Sequence, residues 1–481
     1  MIVEYMKESY KGFDVDRLWY TPPERMEDAL YRQEVFSDLE DPGVLSAIRS
    51  FVAALSRILS ALRYAEEHSW GHQREGIFLD AVLSYCEAVS KLLEALRDSP
   101  IRSRGLLSFR EYLEEYVASE GCRRLKDEAE RVASEITSLS FCMDVKGSTI
   151  TVYRDCEGEE YDAFLEGLFE RFREVREGES SVAEPRWELA HTRGHVENAI
   201  LDLVARIYRE PFDRLSRFYN ENKGFIDEAI LRFYREIQFY LSYLEFIAPL
   251  RKAGLPFTLP RLKREDGEEY CIDCFDLALA IQLLREGRRV VTNDFQVTPE
   301  ERILVVTGPN SGGKTTFARM IGQAYYLAKL GVPIPGREAE LFFVDGVYTH
   351  FPRGEDVEGM HSKLEEDLTR IKLILDKATS KSVIILNEPF SSTTAYDAAL
   401  LGRRVIERIL EIGSRCVYVT FIDELARLEH VASYVAQVDP RDPEIRTYKI
   451  LRQPANGLAY ARLIAKKYRL TYEDIVSRVV G

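Results

Sequence analysis

Residues 303–315 read Ile303-Leu304-Val305-Val306-Thr307-Gly308-Pro309-Asn310-Ser311-Gly312-Gly313-Lys314-Thr315, an apolar run followed at once by the spacing G-x-x-x-x-G-K-[ST]. The short β-branched run predicts a buried parallel strand. Phe317, Met320, Ile321, Ala324 and Ala328 then recur at helical spacing, which predicts a helix directly after the glycine-rich turn. Strand, turn and helix N-terminus in that order make a phosphate cradle. Backbone N–H groups and the positive end of the helix dipole face the anion, Lys314 reaches the β and γ oxygens, and the Thr315 hydroxyl is placed to ligate Mg²⁺. The stretch therefore predicts binding of ATP with Mg²⁺ by Gly308, Pro309, Asn310, Ser311, Gly312, Gly313, Lys314, Thr315 and Thr316.

Outward from this stretch the chain has two grammars. From Pro42 to Pro249 long amphipathic helices dominate, with one apolar stripe at Leu45, Ile48, Val52, Leu55, Leu59 and Leu62 and another at Ile226, Ile230, Phe233, Ile237, Leu241 and Leu244. Their lengths suggest a helical lever. Phe141, Met143 and Val145 alternate, Lys146-Gly147-Ser148 can turn, and Ile150 and Val152 alternate again, which predicts a β-hairpin within 141–153, either a projecting tip or a cap on a sheet. After Pro249 short strands alternate with helices. The candidates are Ile303–Thr307, Leu341–Val344, Val383–Leu386, Val417–Thr420 and Tyr448–Leu451, a pattern that predicts an α/β domain with a mostly parallel sheet and its ligand at the carboxyl ends of the strands. The expected domains are 1–250, helical, and 251–481, a P-loop ATPase.

Composition narrows the function classes. Hydrophobic residues are 46% and charged residues 30% of 481, ordinary for a soluble globular protein. The charged N-terminal stretch and the lack of an 18-residue apolar run predict neither secretion signal nor membrane span, hence a cytoplasmic protein. A net charge of −15 argues against a surface coated with basic residues for nonspecific nucleic-acid binding. Arg102, Arg104, Arg110, Arg123, Arg124, Lys126 and Arg131 lie close together, but seven acidic residues interleave with them and predict a solvated helical face with compensating pairs. Seven scattered cysteines predict reduced thiols. Cys271 and Cys274 form a C-x-x-C without the second ligand pair that a zinc ribbon needs.

A second nucleotide element is Val383-Ile384-Ile385-Leu386-Asn387-Glu388, an apolar strand ending in polar residues in the manner of a Walker B element. The penultimate position is usually Asp. Asn387 can hydrogen-bond a magnesium-bound water but brings no charge, while Glu388 keeps the carboxylate that can orient or deprotonate an attacking water. The metal set expected is thus Thr315, Asn387 and Glu388, the last two through water, with Glu388 and Lys314 as the catalytic pair. Weak Mg²⁺ affinity and slow turnover follow.

The order Gly308-Pro309-Asn310-Ser311-Gly312-Gly313-Lys314-Thr315-Thr316, Leu386-Asn387-Glu388 and Thr393-Thr394-Ala395-Tyr396-Asp397 resembles the ATPase domain of the MutS mismatch-repair family. Asn293-Asp294, Leu330 to Pro335 and Gly457-Leu458-Ala459-Tyr460-Ala461 resemble further segments of that domain, so the likeness covers about 285–475. It implies an ABC-ATPase-like fold and a dimer that sandwiches ATP, with Ser362 resembling the serine that faces the partner's γ-phosphate; Ser362 followed by Glu365 also reads as a plain helix cap. Two positions depart from the family. Phe421 stands where its T-H-x-x-[ED]-L motif has histidine, and Val290 where an adenine-stacking aromatic is common.

The chain enters helical grammar within fifty residues, so the resemblance is to a short member without the N-terminal mismatch-reading domain. Phe109-Arg110-Glu111, Phe164-Leu165-Glu166 and Phe172-Arg173-Glu174 match the family's Phe-x-Glu, yet each lies in a helical pattern. The resemblance implies a slow or switch-like ATPase that clamps DNA by structure and forms a homodimer. A competing expectation is an ATP-dependent clamp or remodelling factor on a ribosome or other RNA-protein partner. An ABC-type or SMC-like ATPase is disfavoured, because no L-S-G-G-Q signature is present.

Overall fold

The computed structural model describes the chain except residues 1–3, 6–14, 147–148, 155–194, 353–362, 440, 443–444, 456–470, 473–474 and 477–481. The chain divides into two compact units, Asp38–Ile237 and a second formed by Met1–Ser37 with Gln238–Gly481. The sequence reading set its division at 250/251 and gave the whole N-terminal half to the helical part.

Ahead of the helical unit lie α1 (Val15–Tyr20) and α2 (Met26–Asp38). The helical unit follows with α3 (Pro42–His68), α4 (Gly71–Asp98), α5 (Arg104–Ala118) and α6 (Glu120–Thr137). Helix α3 starts where its chemistry says it should. The Asp41 carboxylate accepts from the N–H groups of Gly43 and Val44, and Pro42 fills the first turn, where an N–H would have no partner. Its buried face is Val44, Ile48, Phe51, Leu55, Ile58, Ala61 and Ala65, packed along α4. Of the stripe read from sequence only Ile48 and Leu55 are on that face; Leu45, Val52, Leu59 and Leu62 lie at its margin. The apolar arc is wider than the seam, and small residues such as Ala61 and Ala65 take the contact because they let α4 approach. Helix α3 is also long and apolar enough by composition to cross a membrane, which the sequence reading had not credited; a third of its most apolar window is buried by protein.

Strands β1 (Cys142–Lys146) and β2 (Thr149–Tyr153) pair antiparallel with Val145 opposite Ile150, the hairpin expected within 141–153. Helices α7 (His195–Ile207) and α8 (Arg209–Glu221) also belong to this unit. Phe109, first residue of one Phe-x-Glu match, stacks on Phe233 at 3.7 Å and is a core residue. The matches at Phe164 and Phe172 lie outside the described residues. In the basic cluster Lys126 lies 3.8 Å from Glu130, with both side chains about half exposed, as the compensating pattern predicts.

Helix α9 (Glu228–Lys252) runs three residues past Pro249, which is tolerated in its last turn at the loss of one backbone bond. Its aromatic face holds the N-terminal segment to the second unit: Trp19 packs on Phe239 and Tyr243 at 5.4 and 5.3 Å, and Phe36 sits 4.8 Å from Tyr240. Helix α2 is then tied to the strand-bearing part, with Arg32 donating to the Leu330 carbonyl at 3.0 Å and Gln33 to the Pro260 carbonyl at 3.0 Å.

The rest of the unit alternates strands and helices: β3 (Phe257–Thr258), β4 (Arg261–Lys263), β5 (Glu269–Cys274), α10 (Leu277–Arg285), β6 (Asn293–Val297), β7 (Ile303–Thr307), α11 (Lys314–Leu330), β8 (Ile334–Pro335), β9 (Glu338–Phe342), β10 (Val347–His350), α12 (Lys363–Lys377), β11 (Val383–Asn387), α13 (Ala395–Ile412), β12 (Arg415–Val419), β13 (Val431–Val438) and β14 (Arg446–Arg452). The main sheet has the order β10-β11-β12-β7-β13-β14, parallel except for β14. Strands β7, β11 and β12 are buried on both faces, as continuous apolar runs require. Ile384, Leu386 and Tyr418 pack toward α12 and α13, while Ile385 meets Gly322 of α11 on the other face. Strand β13 carries small residues, Ala432, Ser433 and Ala436, and gave no clear sequence signal.

A smaller sheet, β4-β9-β5-β6, lies over a buried ionic network. Glu269 and Arg415, 1% and 3% exposed, form an ion pair; Glu269 Oε2 also accepts from Tyr325 Oη at 2.6 Å and the Phe342 N–H at 3.0 Å. The Arg415 guanidinium lies 3.9 Å above the Phe342 ring and bonds Asp266 at 2.8 Å. In β5 an irregular register places Cys271 and Cys274 with Cα atoms 6.1 Å apart, within disulfide reach, and the structure joins them where reduced thiols were expected. Removing one partner of a buried pair leaves an uncompensated charge. Glu269→Ala is expected to lower stability by about 3–5 kcal/mol, read as a lower urea midpoint at unchanged slope; a change within ~0.5 kcal/mol would contradict this role for the network.

Candidate functional site

Strand β7 ends at Thr307 and the chain turns through Gly308, whose φ is 121°. A Cβ there would lie 2.9 Å from the Ala436 Cβ and 3.0 Å from its nitrogen, so only glycine lets the turn pass under β13. Ser311 and Gly313 also have positive φ, 57° and 93°, and Gly313 precedes the first residue of α11. Successive N–H groups in such a turn, followed by a helix N-terminus, form an anion-binding concavity.

Lys314, first residue of α11, is 4% exposed. Its Nζ donates to the carbonyls of Gly308 and Pro309 at 3.0 and 3.1 Å, lies 3.8 Å from Glu388 Oε1 and sits 4.3 Å from the Phe421 ring centroid. Burial pushes its pKa below the ordinary lysine value, opposed by Glu388 and reinforced by Arg446. Arg446 in turn donates to the Asn310 carbonyl at 3.2 Å, holding the loop's tip.

Glu388 reaches the lysine because β11 breaks off sharply. Its φ is 48° and that of Phe390 is 63°, uncommon for residues with a Cβ, and its N–H donates to the Val419 carbonyl at 2.9 Å. Asn387 is 5% exposed, and its Oδ1 has no hydrogen-bond partner. An orphaned buried acceptor at this strand end fits a hydrated cation better than a packed core. Thr315 and Glu388 face the same space, so a Mg²⁺ ion would be held by the Thr315 hydroxyl and, through water, by Asn387 and Glu388. Among the described residues no group of three or more His, Cys, Asp and Glu is arranged to hold a metal unaided.

The loop opens onto a cleft of about 420 Å³. Ser311 to Thr316 and Glu388 form one side; Leu279, Leu283, Val290 and Val291 give an apolar wall. That wall is fixed by Asp276, which caps α10 through the Leu279 N–H at 2.7 Å and binds Arg319 of α11 at 2.6 and 3.0 Å. Val290 is thus in the cleft but offers no ring. Tyr448 does: it is 46% exposed, lies in contact distance of Gly313 and is presented by a left-handed backbone, φ 58°. Asn293 holds it there, donating to the Tyr448 carbonyl at 3.0 Å and accepting the Ile450 N–H at 2.8 Å. Asn293 was read from sequence as a segment marker, and its clamp on β14 is visible only in three dimensions.

Ser362 and Gly457 to Ala461 lie outside the described residues. Thr393-Thr394-Ala395-Tyr396-Asp397 forms the start of α13, where Thr394 accepts the Asp397 N–H at 3.1 Å and Tyr396 is 78% exposed. His350, missed from sequence as a lone histidine, is fully buried at the end of β10, beside β11. Its Nε2 comes within 3.2 Å of Asp367 Oδ1 of α12, but off hydrogen-bonding geometry, so neither ring nitrogen has a hydrogen-bond partner among the described residues.

Residues 304–465 match the family model for MutS domain V. The DNA mismatch repair protein MutS of Brevibacillus brevis is 33% identical over 166 residues, 34% of this chain and 19% of that protein. That of Aquifex pyrophilus is 32% identical over 171 residues, 34% and 20%, and that of Thermotoga maritima 32% over 145 residues, 30% and 18%. The chain thus spans about a fifth of the length of these relatives.

Burial holds the His350 pKa below the ordinary histidine value of 6.5 against the pull of Asp367. The unfolded chain therefore binds the extra proton first as pH falls, so the stability this group contributes is complete above 6.5 and is lost below it. The urea midpoint is expected to fall on acidification through that window, and His350→Phe should flatten the fall; an unchanged profile in the variant would remove His350 from the account.

Proposed function

We propose, from the premise that the chain belongs to the MutS family through residues 304–465, that it is an ATP-binding switch that couples nucleotide state to DNA held by its helical region. The observation that carries this reading is the convergence of the Gly308–Gly313 turn, Lys314 and Glu388 at the carboxyl ends of β7 and β11 inside a MutS domain V.

The chemistry follows from the side chains. The turn's N–H groups and the start of α11 bind phosphate oxygens, and Lys314 neutralises charge on the β and γ positions once it leaves the Gly308 and Pro309 carbonyls. The Thr315 hydroxyl and, through water, Asn387 and Glu388 would hold a Mg²⁺ ion, which would supply positive charge against the phosphates. Glu388 is the group that orients or deprotonates water. Asn387 supplies no negative charge where an aspartate is usual, and Phe421 supplies no imidazole, so turnover is slow and binding itself does the switching. The Tyr448 ring, beside the apolar wall of α10, serves as the stacking surface that Val290 does not provide.

A homodimer is part of this reading: Tyr396 at the start of α13 and Phe421, 78% and 51% exposed, are aromatic side chains that a second copy closing on the nucleotide would cover. DNA recognition would be by structure, with the clamped duplex or branch released or gripped by nucleotide state. The test is equilibrium binding to labelled homoduplex, mismatched, branched and single-stranded DNA with ADP or ATP across a salt series, with light scattering on the same samples. Structure-selective binding that changes with nucleotide and falls steeply with salt is expected, together with an ATP-dependent dimer. No DNA binding at low salt would overturn the reading and favour a ribosome or other RNA-protein partner.

A further inference from the structure

The nucleotide-site reading is the ground for this inference, which concerns Phe421. Its ring does not serve the core: it is half exposed, while its neighbour Thr420 is 6% exposed and Tyr418 two residues back is 1% exposed. What the ring touches is a cation. Lys314 Nζ lies 4.3 Å from the ring centroid, within the range in which the negative face of an aromatic attracts an ammonium.

An ammonium has three N–H donors and no acceptor. Two are committed to the Gly308 and Pro309 carbonyls at 3.0 and 3.1 Å, and the remaining approaches are taken by Glu388 at 3.8 Å and by the Phe421 ring. The ammonium is therefore engaged by four groups of its own chain, and Lys314 is 4% exposed. A phosphate oxygen has to break part of that set. The two carbonyls belong to the loop backbone and the carboxylate to the hydrolytic residue, so the ring is the one contact free to vary. An imidazole at this position would repel the ammonium when protonated and accept a hydrogen bond from it when neutral; a phenyl ring offers only its face, which attracts the ammonium whatever the pH.

We propose that Phe421 is a positioning residue that holds Lys314 retracted on its own loop, so that nucleotide binding must first draw the ammonium from the ring. The device sets nucleotide affinity without touching the nucleotide. It also separates the two states of the site, since Lys314 engages either Phe421 and the loop carbonyls or the phosphates.

The experiment is calorimetric titration of the full chain with MgATP for the wild type, Phe421→Leu and Phe421→Trp, with steady-state ATPase on the same preparations. Leucine keeps apolar bulk and removes the ring face; tryptophan keeps it and strengthens it. The expected result is a Kd for Phe421→Leu about fivefold tighter than wild type, with KM falling in parallel, and a Kd for Phe421→Trp equal to or weaker than wild type. A purely structural residue would shift both variants the same way. Leucine binding no tighter than phenylalanine, or leucine and tryptophan moving together, overturns the proposal. A wild-type chain that binds no MgATP overturns the nucleotide site itself, a failure distinguished by the absence of any titration signal in all three proteins.

Discussion

A buried cation organises this structure. Lys314 sits at the first turn of α11 with almost no access to water, and the elements around it are arranged as its partners. The turn through Gly308 passes within contact of Ala436 of β13, the strand paired with β7, as its carbonyl reaches the ammonium. The left-handed backbone at Glu388 swings a carboxylate in from β11, and Phe421 closes the side beyond β12. A cation so placed costs desolvation that its partners offset only in part, as the downward shift of its pKa records. On the reading proposed above, that poise would make a phosphate a competitive partner, because an anion delivers full countercharge where the loop carbonyls offer dipoles.

The scaffold supplies rigidity where the site needs it. Both faces of β7, β11 and β12 are buried, and the Glu269–Arg415 pair with Asp266, Tyr325 and Phe342 ties the small sheet to the start of β12. Asp276 does the same for the cleft wall through Arg319. The N-terminal helix α2 adds a brace at the far end of α11: Gly331, with φ 77°, closes that helix so tightly against Ala29 that a Cβ would meet its carbonyl oxygen at 2.4 Å.

Much of this was legible in the residues. The apolar run 303–307, the glycine spacing and the helical period after Lys314 each specify local structure on their own, and they agree. Strands at 383, 417 and 448 were found because β-branched and aromatic residues cluster there, and the hairpin because Val145 and Ile150 alternate across a turn. Strand β13 was not, since Ala432, Ser433 and Ala436 are small, the last where the Gly308 turn passes close, and lack a strand's usual composition. The apolar arc of α3 was read one residue off because helix-facing alanines carry the contact. The contacts of Phe421, Tyr448 and His350 join residues 17 to 135 positions apart, and no spacing rule reaches that far. Met1–Ser37 was assigned to the helical half because its pattern is helical, while the aromatic face of α9 sends it to the other unit.

The central claim is that the Gly308–Lys314 turn is a triphosphate site. Its most direct measurement is equilibrium binding of MgATP to the full chain and to Lys314→Met, which keeps the stem's bulk and removes the charge. The account predicts saturable binding at one nucleotide per chain in the wild type and at least a tenfold loss of affinity in the variant, about 1.4 kcal/mol or more. Equal affinity in the two proteins would contradict it.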